Sequence, residues 1–486
     1  MSGNMTTRER VRSLAPGTPV LFRGGTVLTM DAAGVLEGAD VLVEGERIAA
    51  VGRDLPAPEG CLVVDASGGI VMPGMVDTHR HMWQTAMRGF GADWTLSQYF
   101  VFYYINWGKV FRPEDVYAGN LLSAIEAVDA GVTTTVDWSH GLRTVDHAEA
   151  ALEALREVPG RFVLAYGNIF GAPWEWAPST ELRDFVSRHF SSPSDMLGCQ
   201  LAFDVTGQPE FPEKAAFEAA RDLGLRVTTH AGVWGATDDK GILQMAEHGF
   251  MTDDVTYVHA STLSDDSYHR IAASGAYASV ASESEANAGQ GFPTSWQLRR
   301  HGIPISLSSD TSVWWSADMF SAMRATLNID RCREHQDFHG RGETCVTSGV
   351  RAEDVVRWAT VGGAEALGLG DVVGSLTPGK KADVVLVKND RSPVMFPILN
   401  PWGHVVFQAG RADVHTVMVN GRIVKHEHEL VDVDLAKARR VVESTVEHAL
   451  GELGQTEWTD AMCPALPESE DIPNPYLAAR RQGALG

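Results

Sequence analysis

The sequence predicts an α/β protein, a parallel (β/α)8 barrel with a small β-sandwich built from both ends of the chain. Three observations predict it. Eight apolar, β-rich runs recur over residues 75–310, with stretches of helical spacing between them. Short strands broken by glycines precede and follow this region. Histidines and aspartates fall at the carboxyl ends of several runs, where such a barrel carries its functional groups.

The chain begins with a polar, flexible lead over residues 1–17, and no helix is expected before the barrel. Residues 18–72 contain β-branched segments broken by glycine, at Val20–Met30 and Asp40–Gly52. This pattern predicts hairpins, which form the first part of the sandwich.

The barrel is expected over residues 73–370. Its strands are predicted at Met75–Thr78, Gly131–Asp137, Arg161–Gly167, Gly198–Asp204, Leu225–Ala231, Val255–Ala260, Ala276–Ala281 and Ile303–Asp310. A doubly wound sheet is the alternative. The polar residues at strand ends favour the barrel, because they would then converge on one face.

The β-rich pattern returns in residues 371–430, which are expected to complete the sandwich. They contain a turn and strand at Gly374–Lys388 and an Asn-Gly hairpin at Val414–Lys425. Residues 431–486 are expected to form an amphipathic helix, Leu435–Leu453, and a proline- and acid-rich tail from Pro464.

Composition limits the partners and the compartment. The net charge of -23, from 40 basic and 63 acidic residues, argues against nucleic-acid or anionic-membrane partners. The N-terminus lacks the apolar core of a signal peptide, and no apolar run approaches the ~20 residues of a membrane span. The 5 cysteines are scattered and form no CxxC pair, which fits reduced thiols. We therefore expect a cytoplasmic protein.

A metal site is predicted at the carboxyl ends of the barrel strands. His79 and His81 lie one residue apart at the end of the first strand, so they project from the same side. His230 and Asp310 end the fifth and eighth strands and complete the predicted ligand set. Imidazole and carboxylate suit one divalent metal ion, Zn²⁺ first and Fe²⁺ as the alternative.

This set leaves a position for water, whose pKa the metal lowers toward neutrality. Asp310 can take the proton from the attacking water. His259, at the end of the sixth strand, is expected to bind water or substrate by a hydrogen bond and to move protons.

The order of these residues across the barrel resembles the amidohydrolase superfamily. The resemblance rests on Pro73–His81, on Gly374–Val385 and on the spacing of the histidines, and it covers about residues 18–430. The resemblance implies that a binuclear site would need a carboxylated lysine of the fourth strand as a bridging ligand. The fourth-strand run, Gly198–Asp204, contains no lysine, which favours a mononuclear site.

Within the superfamily the chain is similar to the deaminase and chlorohydrolase branch, which includes the triazine hydrolases and the cytosine, guanine and adenosylhomocysteine deaminases. In triazine hydrolases a glutamine at the place of Gln84 faces the substrate. The alternative is an ordinary polar residue at the start of a loop.

One position departs from this branch. A glutamate usually follows the fifth-strand histidine by three residues and donates a proton, but Val233 occupies that place. Glu283 and Glu285, after the seventh strand, are the candidate replacements. The alternative is that both are solvated loop acids.

Aromatic residues are frequent in the segments that follow the strands. They are Trp83, Trp94–Trp107, Trp174–Trp176, Trp234 and Trp314–Trp315. Trp83 and Trp234, with Gln84 and His259, are the predicted substrate-binding residues, and they suit a flat nitrogen heterocycle held by stacking. The aromatic residues can instead line an interface, and a homodimer or higher homo-oligomer is expected.

The predicted function is that of a mononuclear metal-dependent hydrolase. Metal-bound hydroxide attacks an electron-poor carbon of a nitrogen heterocycle and releases ammonia, an amine or halide. A cyclic or acyclic amide hydrolase is the alternative within the same chemistry. A non-catalytic relative that binds a small molecule is the alternative of another class.

Overall fold

The structure is a computed structural model that describes residues 7–192, 194, 196–234 and 239–463. The strands are β1 Val20–Leu28, β2 Val35–Glu44, β3 Arg47–Gly52, β4 Leu62–Asp65, β5 Ile70–Pro73, β6 Met75–Arg80, β7 Val132–Ser139, β8 Arg161–Tyr166, β9 Leu197–Ala202, β10 Arg226–Ala231, β11 Val255–His259, β12 Tyr277–Val280, β13 Ile305–Leu307, β14 Val384–Val387, β15 Val414–Val419, β16 Arg422–His426 and β17 Glu429–Leu430.

The α-helices are α1 Thr7–Arg12, α2 Leu96–Phe100, α3 Pro113–Asp129, α4 Val145–Glu157, α5 Pro173–Trp176, α6 Thr180–Phe190, α7 Lys214–Leu223, α8 Lys240–Glu247, α9 Asp265–Ser274, α10 Ser282–Ala288, α11 Ser295–His301, α12 Met319–Gly340, α13 Ala352–Trp358, α14 Val361–Ala366, α15 Pro401–Phe407 and α16 Leu435–Ala461. Short 3₁₀ turns lie at Met82–Met87, Trp107–Lys109, Pro393–Met395 and Arg411–Asp413, and a π-helical turn lies at Val101–Asn106.

Strands β6–β13 form an eight-stranded parallel sheet in which each strand lies beside its neighbours in the chain. The sheet closes where Asp310, just beyond β13, pairs with the end of β6. The His81 amide donates to the Asp310 carbonyl at 2.7 Å, and the Asp310 amide donates to the His79 carbonyl at 3.0 Å. The predicted (β/α)8 barrel is confirmed, and its closure is made by backbone that also carries predicted metal ligands.

The second sheet has nine strands, drawn from both ends of the chain. Its order is β17-β16-β15-β14-β5-β1-β2-β3, and β4 pairs with β1. Strand β14 runs antiparallel to β5, with Val384 opposite Pro73, and so joins the late strands to the early ones. A core of its own lies on this sheet and includes Phe22, Val41, Leu386 and Met418. The predicted sandwich built from both ends of the chain is confirmed.

Gly74 connects the two sheets, because it alone separates β5 from β6. A Cβ atom at this position would lie 2.1 Å from the Thr133 hydroxyl, far inside van der Waals contact. Glycine therefore allows the chain to pass from one sheet into the strand that carries His79.

A buried carboxylate binds three arginines from two distant parts of the chain. Glu126 of α3 accepts from Arg80 at 2.7 Å, from Arg88 at 2.8 Å and from Arg411 at 3.2 Å. Arg80, between His79 and His81 in the chain, is fully buried, and its guanidinium donates to Ser123 and Glu126 of α3. A buried charge needs a partner, so these ion pairs are retained in the folded protein. Through them Glu126 connects β6, which carries the histidine pair, to Arg411, just before β15.

The ends of the chain differ from the prediction in two ways. The lead contains helix α1, whose Val11 packs into the core of the second sheet, so a helix does precede the barrel. Helix α16 extends to Ala461, beyond the predicted Leu453, across a break at Gly454 with φ +75°. The predicted tail from Pro464 lies outside the described residues.

Among the described helices, none combines the length and the apolar character needed to cross a membrane. All five cysteines are free thiols.

Candidate active site

The predicted metal ligands meet at the carboxyl end of the barrel. His79 Nε2 lies 3.2 Å from Asp310 Oδ1, and His81 Nε2 lies 3.4 Å from the same oxygen. Ligand atoms of His79, His81 and Asp310 all lie within 4.8 Å of one another, and so do those of His79, His230 and His259. The two groups share His79, so five side chains surround one small volume.

Hydrogen bonds orient two of these imidazoles. His81 Nδ1 lies 2.9 Å from the Trp138 carbonyl, and His230 Nδ1 lies 2.8 Å from Asp204 Oδ1. Because both acceptors take a proton from Nδ1, the lone pair of each ring lies on Nε2 and is available to a metal. Sequence reasoning missed the role of Asp204, which follows β9.

The donor set fits a divalent metal ion. Burial lowers the pKa of His79 well below its ordinary value and that of His81 to about 4, so both rings are neutral. The His79 Nδ1 atom is buried and has no hydrogen-bond partner among the described residues. Neutral imidazoles with unpaired nitrogens next to a carboxylate are what a zinc or iron site requires.

Asp310 is ionised despite its burial. Burial alone would raise its pKa, but the hydrogen bond with His79 and the proximity of His81 lower it far below the usual range. Its other oxygen, Oδ2, accepts from the Ser284 hydroxyl. Asp310 and His259 both adopt left-handed backbone conformations, with φ +60° and +67°. Strain of this kind, held by the surrounding fold, is typical of functional positions.

The two candidate glutamates point in different directions. Glu285 is buried, and its Oε1 lies 3.3 Å from His259 Nδ1 and accepts from the Ala281 amide at 2.9 Å. Burial opposes the charging of His259, yet the bond to Glu285 raises its pKa overall. Glu283 instead accepts from the Ser321 hydroxyl on α12. The structure thus brings Glu285, through His259, to the predicted metal site.

Two of the predicted substrate-binding residues, Gln84 and Trp83, form hydrogen bonds with neighbours of this cluster. The Gln84 amide accepts from the Thr311 hydroxyl at 2.8 Å and donates to the Tyr99 hydroxyl at 2.6 Å. The Trp83 indole donates to His140 Nδ1 at 3.2 Å. Trp234 packs on Phe100, with ring centroids 5.2 Å apart. The roles of Gln84, Trp83, Trp234 and His259 toward a substrate stay predictions.

Not every aromatic side chain predicted above the active face lies there. Trp94 is buried, and its indole donates to the carbonyls of Ala461 and Met462 at 3.1 and 2.9 Å. It therefore fixes the end of α16 to the segment that follows β6. Aromatic content alone did not distinguish this packing role from a pocket wall.

Sequence reasoning also missed His140, which follows β7. Its ring is buried and lies 4.1 Å from the His81 ring. It lines a cavity of about 40 Å³ with Asp204, Asn168 and Trp176. The available signal was its position three residues beyond the predicted strand Gly131–Asp137, whereas His230 lies within the end of its own predicted strand.

Asp137, a polar residue at the end of the second barrel strand, lies outside the cluster. It pairs in register with Arg80, and its Oδ2 accepts from Asn120 of α3 at 2.7 Å. Burial raises its pKa to about 7, against the lowering effect of the Asn120 hydrogen bond. This carboxyl group therefore stabilises the packing of α3 on the barrel rather than binding a metal.

The Asp137→Asn variant is expected to gain thermal stability relative to wild type as the pH rises. In the unfolded chain Asp137 titrates near its ordinary pKa, about 3.9, so between that value and about 7 the folded state holds an extra proton. Wild-type stability therefore falls with increasing pH across this window, and the amide removes the fall. The difference in melting temperature should widen by roughly 2 °C or more between pH 5.5 and pH 8.5.

Scanning fluorimetry of the two proteins at both pH values measures this difference. Asp266→Asn, on the exposed face of α9, is the matched control and should show no such widening. A difference for Asp137→Asn that stays constant or shrinks with pH contradicts the raised pKa.

A cluster of histidines and an aspartate lies at the carboxyl end of a (β/α)8 barrel, and a second sheet is built from both ends of the chain. This combination is typical of a metal-dependent hydrolase. The family model of the amidohydrolase family matches residues 70–424. The chain belongs to the amidohydrolase family. Its predicted action on carbon–nitrogen bonds other than peptide bonds is confirmed.

Two proteins with similar sequences are deaminases. A 5-methylthioadenosine/S-adenosylhomocysteine deaminase of Desulfitobacterium hafniense is 29% identical over 423 residues, 83% of this chain and 92% of that protein. A 5'-deoxyadenosine deaminase of Methanosarcina mazei is 26% identical over 449 residues, 88% and 98% of the two chains.

Two solved structures share the fold. An adenosine deaminase from Xanthomonas campestris with bound zinc has a TM-score of 0.73 at 22% identity, over 90% of this chain and 100% of that one. An atrazine chlorohydrolase from Arthrobacter aurescens complexed with zinc has a TM-score of 0.75 at 21% identity, over 88% and 100%. At this identity the likeness concerns the fold alone.

Proposed function

We propose that the protein is a mononuclear metal-dependent deaminase that hydrolyses the exocyclic amino group of a flat nitrogen heterocycle and releases ammonia. The observation that carries the proposal is the convergence of His79, His81, His230, His259 and Asp310 at the mouth of the barrel. The deaminases among the similar proteins support the same reaction.

The metal is proposed to be zinc, with iron as the alternative. His79, His81, His230 and Asp310 would hold it, since neutral imidazoles and an ionised carboxylate are its preferred donors. When bound, the ion would lower the pKa of a coordinated water toward neutrality. The zinc in two structures of the same fold supports this choice.

The chain's own groups then move the protons. Asp310 is ionised, so it can accept the proton of the attacking water. His259 is held through Nδ1 by Glu285, which leaves Nε2 to bind the substrate or the developing charge. Val233 cannot donate a proton to the leaving group, so that proton has to come from Asp310 or from the His259–Glu285 pair.

The test is ammonia release from aminated purines, pyrimidines, pterins and triazines by the zinc-loaded protein. We expect at least one of these compounds to be deaminated, with activity lost after dialysis against a chelator and restored by zinc. Metal analysis should find about one equivalent of metal per chain. Lactams and acyl amides are included, and hydrolysis of these alone would overturn the proposal.

A second candidate function is the hydrolysis of cyclic or acyclic amides. It is favoured by Val233, which stands where the deaminase branch has its proton-donating glutamate. The amides in the same panel detect it. A protein that takes up no metal, even when zinc or iron is added, would instead be a non-catalytic relative that binds a small molecule.

We further propose a homodimer or higher homo-oligomer in the cytoplasm. Phe396 and Leu399 expose 69% and 88% of their surface, which supports association through the segment before α15.

A further inference from the structure

We infer that Tyr99 is a specificity-determining residue whose hydroxyl group donates a hydrogen bond to a ring nitrogen or carbonyl of the heterocycle, and this inference rests on the proposed function. Tyr99 lies on α2, in the aromatic segment that follows β6. It is a substrate contact distinct from the predicted ones.

Tyr99 lies next to the metal cluster without belonging to it. Its hydroxyl oxygen is 3.4 Å from His140 Nε2, and the His140 ring is 4.1 Å from the ring of His81. One imidazole ring thus separates the Tyr99 hydroxyl from His81, a predicted metal ligand. A heterocycle is about as wide as this imidazole. If its reacting carbon lies at the metal, its far edge would therefore reach the Tyr99 hydroxyl.

The hydrogen bonds around Gln84 fix the role of the Tyr99 oxygen. The Thr311 hydroxyl donates to the Gln84 amide oxygen, and the Gln84 amide nitrogen donates to Tyr99 at 2.6 Å. All three side chains are buried, so these bonds do not exchange readily with solvent. The Tyr99 oxygen is therefore an acceptor from Gln84.

His140 donates a second hydrogen bond to the Tyr99 oxygen. An indole nitrogen can only donate, so the bond from Trp83 makes His140 Nδ1 an acceptor. The contact of Nδ1 with the Trp138 carbonyl, at 3.2 Å, belongs to the other tautomer. With Nδ1 accepting, the neutral ring carries its proton on Nε2, which points at the Tyr99 oxygen.

A phenol oxygen that accepts from Gln84 and His140 directs its own proton elsewhere. Tyr104 makes a further hydrogen bond with Tyr99 that lowers the Tyr99 pKa, as a bond donated to the phenol oxygen does. The phenol proton is therefore left for a ring acceptor of the substrate. Burial raises the pKa of Tyr99, and the nearby Asp310 charge raises it further, so the hydroxyl stays protonated as a donor.

Aromatic side chains pack around Tyr99. The Trp314 ring lies 5.5 Å from the Tyr99 ring at 32°, and the Trp234 ring lies 5.2 Å from the ring of the adjacent Phe100 at 35°. Both pairs are tilted, and aromatic side chains of this kind also attract heteroaromatic rings. Stacking alone does not fix the rotation of a ring in its plane, and a hydrogen-bond donor at the edge of the ring does.

The test compares Tyr99→Phe with Tyr103→Phe in zinc-loaded protein. Tyr103 is a buried neighbour whose hydroxyl lies 3.5 Å from the Gln84 carbonyl, at the limit of a hydrogen bond. The probes are adenine with its 1-, 3- and 7-deaza analogues, and 2-amino-1,3,5-triazine with 2-aminopyrimidine and 2-aminopyridine. Binding is followed by tryptophan fluorescence, and kcat and KM are measured for every compound that is deaminated.

Tyr99→Phe should weaken binding of the parent heterocycle at least about tenfold, the loss of one hydrogen bond to a neutral acceptor. Wild type should bind one analogue, in which carbon replaces a ring nitrogen, more weakly than the parent by the same factor. Tyr99→Phe should bind that analogue no more weakly than wild type does. Tyr103→Phe should stay within about threefold of wild type, and metal content should be equal in all three proteins.

Unchanged binding by Tyr99→Phe overturns the inference. So does an equal weakening toward every analogue, which would show a packing role, and so does the absence of saturable binding of both parent compounds by wild type. Binding that depends on Tyr99 without ammonia release would instead overturn the proposed function and leave the inference standing.

Discussion

The Asp310→Asn variant is expected to lose about 10⁴-fold in kcat while it retains more than half of its metal. The carboxylate is the ionised base of the site, and both of its oxygens are engaged, one by the histidine pair and one by Ser284. An amide cannot accept a proton from water at neutral pH. The remaining imidazoles still offer nitrogen donors, so the affinity for the metal falls but binding is not lost.

Single-turnover rates on a deaminated heterocycle, with metal analysis of the same samples, measure this effect. The Asp266→Asn variant controls for the loss of an aspartate charge and should match wild type. If Asp310→Asn retains more than about 1% of wild-type kcat with full metal content, Asp310 is not the base. A complete loss of metal would assign it a role as ligand alone.

The Glu285→Gln variant is expected to lose about 10²-fold or more in kcat, whereas Glu283→Gln should change kcat less than about threefold. Glu285 is buried against His259 and holds its Nδ1 proton, so removal of the charge weakens both the orientation and the basicity of that ring. Glu283 bonds a serine on α12 and has no described contact with the metal cluster.

The pair is its own matched control, because the two glutamates lie two residues apart and undergo the same substitution. Circular dichroism and metal content should be unchanged in both variants. Similar mild effects on kcat for both variants would show that neither glutamate replaces the acid missing at Val233. A larger effect for Glu283→Gln would require α12 to contribute to the chemistry.

The strand-end histidines could be predicted because their signal is local. Alternation along β6 places His79 and His81 on one side and Arg80 on the other, and the closed barrel has this arrangement. The eight strands followed from recurring apolar runs with helical stretches between them. The convergence of His230 and Asp310 on this pair then followed from the barrel.

Other contacts depend on register and on helix phase, which single residues do not reveal. Asp204 reaches His230 because β9 and β10 pair with Ala202 opposite Thr228. Glu283 and Glu285 lie in the first turn of α10, where residues two apart face different directions. The sequence offered both as candidate acids, with solvated loop acids as the alternative, and only the helix distinguishes the two residues. The Trp94 indole likewise donates to the carbonyl of Ala461, a residue more than 360 positions later in the chain.

The Glu126 cluster has a consequence for the order in which the protein matures. All predicted metal ligands precede residue 311, whereas Arg411 and β14, which support β6 through Glu126 and β5, are made later. On the ribosome the ligands would therefore emerge before the strands that hold them in place. We expect the metal site to reach its final geometry only when the late strands have joined the early ones, and metal uptake to follow the synthesis of residues 384–430.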